Sequence, residues 1–280
     1  MTTEVTRVKV SIIGTGQIGY DLLHKLMILD FVDIVAFVGR RGSTKELPPT
    51  IFYSDQSIQY FILNPKSCDV VFDCTDAYSA IINSKFFLEQ GIKVIDLTPS
   101  NIGDFYIPNI TSILSMNINM VTCGGQVTLP LLKYFNDKLP NIIYAETVTQ
   151  INSESAGMAT RINIDKYIET TESAIYKFTN IPKCKVILNI NPNNTAKMQT
   201  TIFIRTTDFD DFTDFDNLIQ QIQKYIKNYH VSSPTWLSTN LLMVNVTITG
   251  SGDIISKYAG NLDIINCAAI NALKKIYNKL

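Results

Sequence analysis

Arg7 to Gly19 reads RVKVSIIGTGQIG, a short β-branched run that leads directly into Gly14-Thr15-Gly16-Gln17-Ile18-Gly19. Beyond it, Ile18, Leu22, Leu26 and Leu29 recur at helical spacing, so the G-x-G-x-x-G motif has a strand before it and a helix after it. In that context Gly14 permits a tight turn, Gly16 lets the backbone approach a pyrophosphate, and Gly19 lets helix and strand pack closely. The bland alternative is a glycine-rich βα turn without a ligand.

A second strand, IVAFVG (Ile34 to Gly39), ends about 20 residues past the glycines, where an acidic side chain usually binds the ribose hydroxyls of NAD. Arg40 and Arg41 stand there instead. Two guanidinium groups suit the 2′-phosphate of NADP, and a solvated loop end explains them equally well, so the choice between NAD and NADP stays open.

Further strands follow at CDVVFDCT (Cys68 to Thr75) and KVIDLT (Lys93 to Thr98), with a helical stretch near residues 78 to 90 between them. The alternation predicts an α/β fold, a Rossmann-type doubly wound parallel sheet. Ligands of such sheets sit beyond the carboxyl ends of the strands, which puts Asp73, Thr75, Asp96 and Thr98 on the nicotinamide side; for Asp96, loop capping is the stronger reading. Past residue 140 the pattern changes. YAETVTQI, KVILNIN, TTIFIR and LLMVNVTITG read as strands, and Leu242, Val244, Val246 and Ile248 alternate with polar residues. With helices at about residues 165 to 178 and 216 to 229, this predicts an α+β domain with a mostly antiparallel sheet covered on one face. The stretch from Gly260 carries Ile265, Ala269, Leu273 and Ile276 at helical spacing.

Asn119 to Pro130, NMVTCGGQVTLP, places Cys123 at a strand end, before a helix whose buried face is Val127, Leu131, Phe135 and Leu139. Free N–H groups and the dipole at a helix start favour a thiolate, and the same amides can stabilise an oxyanion. A small buried hydrophobe is the competing reading of such a cysteine. A nucleophilic thiol and a dinucleotide in one chain fit aldehyde oxidation through a thiohemiacetal and a thioester.

The remaining composition excludes several classes. With 24 basic and 25 acidic residues the net charge is -1, so no global field recruits nucleic acid or an anionic membrane. The start of the chain shows no apolar signal core, no run approaches a spanning helix, and a cytoplasmic protein is expected. The five cysteines lie 6, 49, 61 and 83 positions apart, which matches neither a zinc pair nor a disulfide framework; Cys68, Cys74, Cys184 and Cys267 read as packing or surface thiols. The run DFDDFTDFDN (Asp208 to Asn217) lacks the central glycine of a calcium loop and has Ile219 at the twelfth position, so it reads as a solvated turn, with Asp216 near a helix N-cap and no metal. His24 and His230 are the two histidines, and both read as structural or surface residues.

Four stretches together resemble the acylating acetaldehyde dehydrogenase family: MVTCGGQ, KVIDLTPSNIG (Lys93 to Gly103), SAGMATRINID (Ser155 to Asp165) and YAGNLDI (Tyr258 to Ile264). The resemblance runs nearly end to end. It implies oxidation of acetaldehyde with NAD and coenzyme A to acetyl-CoA, with Cys123 forming the thioester. It further implies cofactor contacts from Gly14, Thr15, Gly16 and Gln17, from Ser155, Ala156, Gly157, Met158, Ala159, Thr160, Arg161, Ile162 and Asn163, and from Asn261. Also implied are a dinucleotide-binding domain, residues 1–123 completed by helix 260–280, and a catalytic and dimerisation domain, residues 124–259. A homodimer and a 4-hydroxy-2-oxovalerate aldolase partner come with the family.

The chain departs from the family pattern in places. Glu154 replaces a lysine, Met158 and Ala159 replace proline and glycine, and Gln199-Thr200 stands where an Arg-Asp pair is common. Thr200 cannot act as a base. The histidine that phosphorylating glyceraldehyde-phosphate and semialdehyde dehydrogenases pair with their cysteine has no counterpart motif, so activation of Cys123 is expected from the helix terminus and nearby amides. A dehydrogenase for a larger aldehyde, or a catalytically weakened Rossmann-type partner subunit, are the alternative readings.

Overall fold

The computed structural model describes residues 7–40, 47–113, 115–252 and 254–279; Arg41 lies outside them. The first half forms strands β1 (Val8–Ile13), β2 (Val32–Val38), β3 (Tyr53–Ser54), β4 (Val70–Asp73), β5 (Lys93–Asp96), β6 (Asp104–Phe105) and β7 (Asn117–Asn119). They make one parallel sheet in the order β3-β2-β1-β4-β5-β7-β6. Val10, Ile12, Ile13, Val70, Val71 and Phe72 are all sealed from solvent, as strands covered on both faces require.

Helices α1 (Gln17–Met27), α2 (Ile58–Leu63) and α3 (Ala77–Glu89) supply the covers, together with the C-terminal helix of the chain. Leu22, Leu23 and Leu26 of α1 pack on one face with Ile265, Ala268, Ala269 and Leu273. On the other, Phe61 of α2 meets Phe87 of α3 edge to face, ring centroids 4.9 Å apart. Each such burial contributes roughly 1.5–3 kcal/mol. Asp76 caps α3 by accepting hydrogen bonds from the Tyr78 and Ser79 amides.

After β7 the chain enters α4 (Cys123–Lys138), capped by Thr122, whose hydroxyl accepts from the Gly125 amide at 2.8 Å. Next come β8 (Ile142–Asn152), α5 (Met158–Ile162), α6 (Ile164–Phe178), β9 (Cys184–Asn191) and β10 (Met198–Thr206). Helix α7 (Phe215–Gln223), β11 (Tyr229–Val231), β12 (Thr235–Ser238), β13 (Leu241–Ile248) and α8 (Gly260–Ile276) complete the order. The second sheet runs β11-β13-β10-β8-β9, with β12 also on β13. Its β10, β11 and β12 pairings to β13 and the β8–β10 pairing are antiparallel. The β8–β9 pair is parallel, because α5 and α6 carry the chain back to the start of the sheet between them. Alternation of side chains is the same in both arrangements, so the sequence could not distinguish this pair.

Ile202, Ile204, Leu242, Val244 and Val246 face inward onto Val127, Leu131 and Phe135 of α4. The helix expected over residues 216 to 229 is shorter: it stops at Gln223, and Tyr229 and His230 enter a strand instead. That strand seats the Tyr229 ring in the core, where its hydroxyl donates to the Val127 carbonyl at 2.7 Å. The acidic run is likewise more than a solvated turn. Phe212 and Phe215 lie 5.2 and 5.7 Å from Phe135 by ring centroid, and Asp214 accepts from the Tyr134 hydroxyl at 2.6 Å.

Candidate active site

The turn between β1 and α1 is shaped by steric limits at Gly14 and Gly19. Gly14 has φ +107°, and a Cβ there would lie 2.4 Å from the Cys74 carbonyl oxygen. At Gly19 a Cβ would lie 2.0 Å from the Gly14 carbonyl oxygen, so helix and turn are in contact. Gly16, the N-cap of α1, has open space where its Cβ would stand, and no side chain caps that helix. The free amides at the start of α1 therefore face a groove, lined here by Gly14, Thr15, Gly16 and Gln17, in which an anionic pyrophosphate fits.

Arg40 and Asp76 stand at the same groove, with the guanidinium Nη2 3.2 Å from the Asp76 carboxylate. The opposite wall is the segment between β8 and α6. Ser155, Gly157, Met158, Ala159, Thr160 and Ile162 line it. Ala156 is buried behind them, and Arg161 turns back to donate to the carbonyls of Ala156 and Ser153 at 2.9 and 3.0 Å. Arg161 thus braces the wall rather than facing the groove. Gln17 joins the two walls by donating to the Glu154 carbonyl at 3.0 Å, and Asn261 of α8 donates to the Ser155 carbonyl at 3.3 Å. Glu154 takes part through its backbone.

Ile18, Cys74, Thr75, Ala159, Thr160 and Leu262 also line a smaller, mainly apolar cavity, so groove and cavity adjoin across these residues. Cys123, Asn163 and Asn261 stand in that cavity. Cys123 is the first residue of α4 and packs against the cores of both sheets, at the place where they meet. The side-chain oxygens of Asn163 and Asn261 and the Thr98 hydroxyl are buried without a hydrogen-bond partner. Polar groups left so at a cavity wall are suited to a bound substrate or cofactor.

Activation of the thiol differs from the sequence expectation. Burial pushes Cys123 up to about 11, and the Gly124 amide and the Tyr167 hydroxyl beside it only partly offset this. The helix start alone does not produce a thiolate, because desolvation outweighs its amides. No carboxylate, histidine, lysine or arginine lines the cavity among the described residues.

Two expected neighbours of the nicotinamide prove to be structural. Asp73 and Asp96 are sealed under the strand ends, where Asp73 accepts from the Thr75 amide at 3.0 Å and Asp96 from the Thr98 amide at 2.7 Å. The threonines they position, Thr75 and Thr98, are the ones that reach the cavity. Sequence reasoning missed Cys74 and Tyr167 as cavity residues. Tyr167 had a signal: Asn163, Tyr167 and Thr171 fall four apart along one helix face.

The architecture is that of aldehyde dehydrogenases built on a dinucleotide-binding sheet. Aspartate semialdehyde dehydrogenase II of Vibrio cholerae superposes with TM-score 0.68 at 14% identity, covering 97% of this chain and 99% of that one. The aspartate semialdehyde dehydrogenase of Candida albicans, solved with NADP, gives 0.57 at 14% identity over 95% and 99%. In sequence, acetaldehyde dehydrogenase of Spirochaeta aurantia is 40% identical over 97% of this chain and 95% of that protein. The Pectobacterium atrosepticum acetaldehyde dehydrogenase is 39% identical over 99% and 98%. Residues 123–256 match the family model described as prokaryotic acetaldehyde dehydrogenase, dimerisation. The chain belongs to the acetaldehyde dehydrogenase family and is an oxidoreductase.

Proposed function

We propose that the protein oxidises acetaldehyde to acetyl-CoA, with Cys123 as the nucleophile, NAD or NADP as hydride acceptor and coenzyme A as acyl acceptor. The observation that carries this reading is that the groove at Gly14 to Gln17 adjoins the cavity that holds Cys123, with six lining residues in common. A bound nicotinamide cofactor supplies the acceptor for the hydride. The chain's own part begins with the Cys123 sulfur, which adds to the aldehyde carbon as the carbonyl oxygen gains a proton. Loss of hydride from that carbon, and of the hydroxyl proton, leaves a thioester on Cys123. The coenzyme A sulfur then adds to the thioester carbon, and the Cys123 sulfur leaves with the acyl group transferred. In this reading the Gly124 amide donates to the oxygen, the side-chain oxygens of Asn163 and Asn261 accept from the hydroxyl it becomes, and the apolar walls exclude water that would hydrolyse the thioester.

Residues 1–123 with helix 260–280 form the cofactor-holding unit in this reading, and residues 124–259 the catalytic and dimerisation unit. The outer face of the second sheet, where Phe203 and Met243 are only half-buried, fits a homodimer. A 4-hydroxy-2-oxovalerate aldolase is the proposed supplier of aldehyde, and five unpaired thiols suit the cytoplasm. Among the described residues no helix is long and apolar enough to cross a membrane.

The test is reduction of NAD and of NADP by acetaldehyde, followed by absorbance of the reduced nicotinamide, with and without coenzyme A. Turnover that requires coenzyme A and vanishes in Cys123→Ser, while dinucleotide binding persists, is the expected result. Full turnover in Cys123→Ser sinks the mechanism. Silence with every aldehyde from a protein that binds the dinucleotide favours the weakened-subunit reading, which the lack of a charged side chain lining the cavity among the described residues supports.

A further inference from the structure

Tyr167 stands against the start of α4. A Cβ on Gly124 would lie 1.9 Å from its hydroxyl oxygen and 3.1 Å from the Thr149 hydroxyl, so residue 124 is glycine to make room for both. The tyrosine is buried, and its oxygen completes no well-aligned hydrogen bond, although the Cys123 sulfur and the Thr122 and Thr149 hydroxyls lie beside it. Burial also holds the phenol well above its ordinary value. Tyr167 therefore carries a proton at neutral pH and can donate it in a hydrogen bond, but cannot serve as a base.

Proton counting singles it out among the hydroxyls. Each hydroxyl has one hydrogen to give. Thr171 gives its hydrogen to the Tyr167 carbonyl at 2.7 Å, so in the 2.7 Å contact between Thr122 and Thr171 the donor is Thr122. Thr122 has none left for the sulfur. Thr149 and Thr200, paired in register across β8 and β10, share one contact of 3.0 Å. If Thr200 gives its hydrogen there, the Thr149 hydrogen is available to the Tyr167 oxygen, which turns the Tyr167 hydrogen toward Cys123.

We propose that Tyr167, aligned by Thr149 and Thr200, donates the hydrogen bond that stabilises the Cys123 thiolate in place of a charged base. The proposal rests on the reading of Cys123 as nucleophile. Thr200, which by itself cannot deprotonate a thiol, acts at the far end of a row of three hydroxyls that polarise one another toward the sulfur. The other ionisable side chain lining the cavity is Cys74, and no charged group lines it among the described residues.

The experiment is alkylation of the intact protein by iodoacetamide across pH, read as the mass of the peptide that contains Cys123. It requires no turnover, so its outcome is separate from that of the Cys123→Ser assay. A hydrogen bond to a charged acceptor contributes about 1.5–3 kcal/mol, so Tyr167→Phe should raise the pH midpoint by about one unit or more and slow alkylation at neutral pH at least about tenfold. Thr149→Val and Thr200→Val should shift it the same way by less. An unchanged or lowered midpoint in a folded Tyr167→Phe overturns the proposal. Should that variant fail to fold, Thr149→Val carries the test, and an unchanged midpoint there overturns it equally.

Discussion

Asp73 and Asp96 are register partners on β4 and β5, side by side and sealed from solvent. Burial raises both carboxyls, and repulsion by Asp73 adds to it at Asp96, which goes from 3.8 to about 7. Asp96 also accepts from the Ser100 hydroxyl at 2.5 Å and the Asn119 amide at 3.0 Å, which holds the loop carrying Thr98. A carboxyl raised in the native state binds its proton more tightly there than in the unfolded chain. Its contribution to stability is complete below pH 3.8 and is lost as pH rises through about 7. Denaturant titrations should show Asp96→Asn with a shallower fall of stability over that window than the parent protein. Parallel pH profiles for the two would show that Asp96 does not titrate there.

Gly16 and Gly19 belong to one motif but should fail differently. Gly19→Ala drives a methyl into the backbone oxygen of Gly14, which cannot move aside as a side chain could. Overpacking of this kind costs about 1–3 kcal/mol, so a lower melting temperature is expected along with lost dinucleotide binding. Gly16→Ala meets nothing within 4 Å. It should melt as the parent does and still bind NAD at least about tenfold more weakly, since the methyl occupies the approach to the helix amides. Calorimetry and binding titrations on the two variants decide it.

Arg40 reaches the groove beside Asp76, and its side chain is 72% exposed. Such an ion pair adds about 0–1 kcal/mol at most, so Arg40→Ala should leave stability nearly unchanged. It should lower kcat/KM for NADP about tenfold relative to that for NAD, the loss expected for a charge-assisted contact to the 2′-phosphate. An unaltered ratio would remove Arg40 from cofactor selection.

Lys25 sits between Asp21 at 2.7 Å and Asp263 at 3.0 Å, and so ties α1 to the helix that carries Asn261. Asn266 adds a hydrogen bond to Asp21 at 2.7 Å. Lys25→Met would leave two buried carboxylates without a cation, at a cost of about 3–5 kcal/mol. A denaturation midpoint within error of the parent would contradict this.

Much of the fold was legible because its signals are local. The turn at Gly14 to Gly19 is decided by Gly14 and Gly19, where a side chain would meet backbone, and by Gly16, whose missing side chain leaves the helix start open; the runs around Val10 and Val71 are apolar because both faces of their sheet are covered. Cys123 was legible for the same reason, as the residue between a strand end and a helix start. The parallel β8–β9 pair and the early end of α7 were not, since side-chain alternation is blind to strand direction and a buried tyrosine can complete either a helix or a strand.

The sequence by itself determined the dinucleotide turn, the class of fold and the position of the thiol, all through spacing within a single element. What surrounds the sulfur was decided only in three dimensions. Cys123, Thr149, Tyr167 and Thr200 come from α4, β8, α6 and β10, and no spacing along the chain relates them. Whether a thiol is raised by burial or held as a thiolate depends on the solvent it has lost and the hydrogens aimed at it. Both are properties of tertiary packing, which exist only once the four elements have come together.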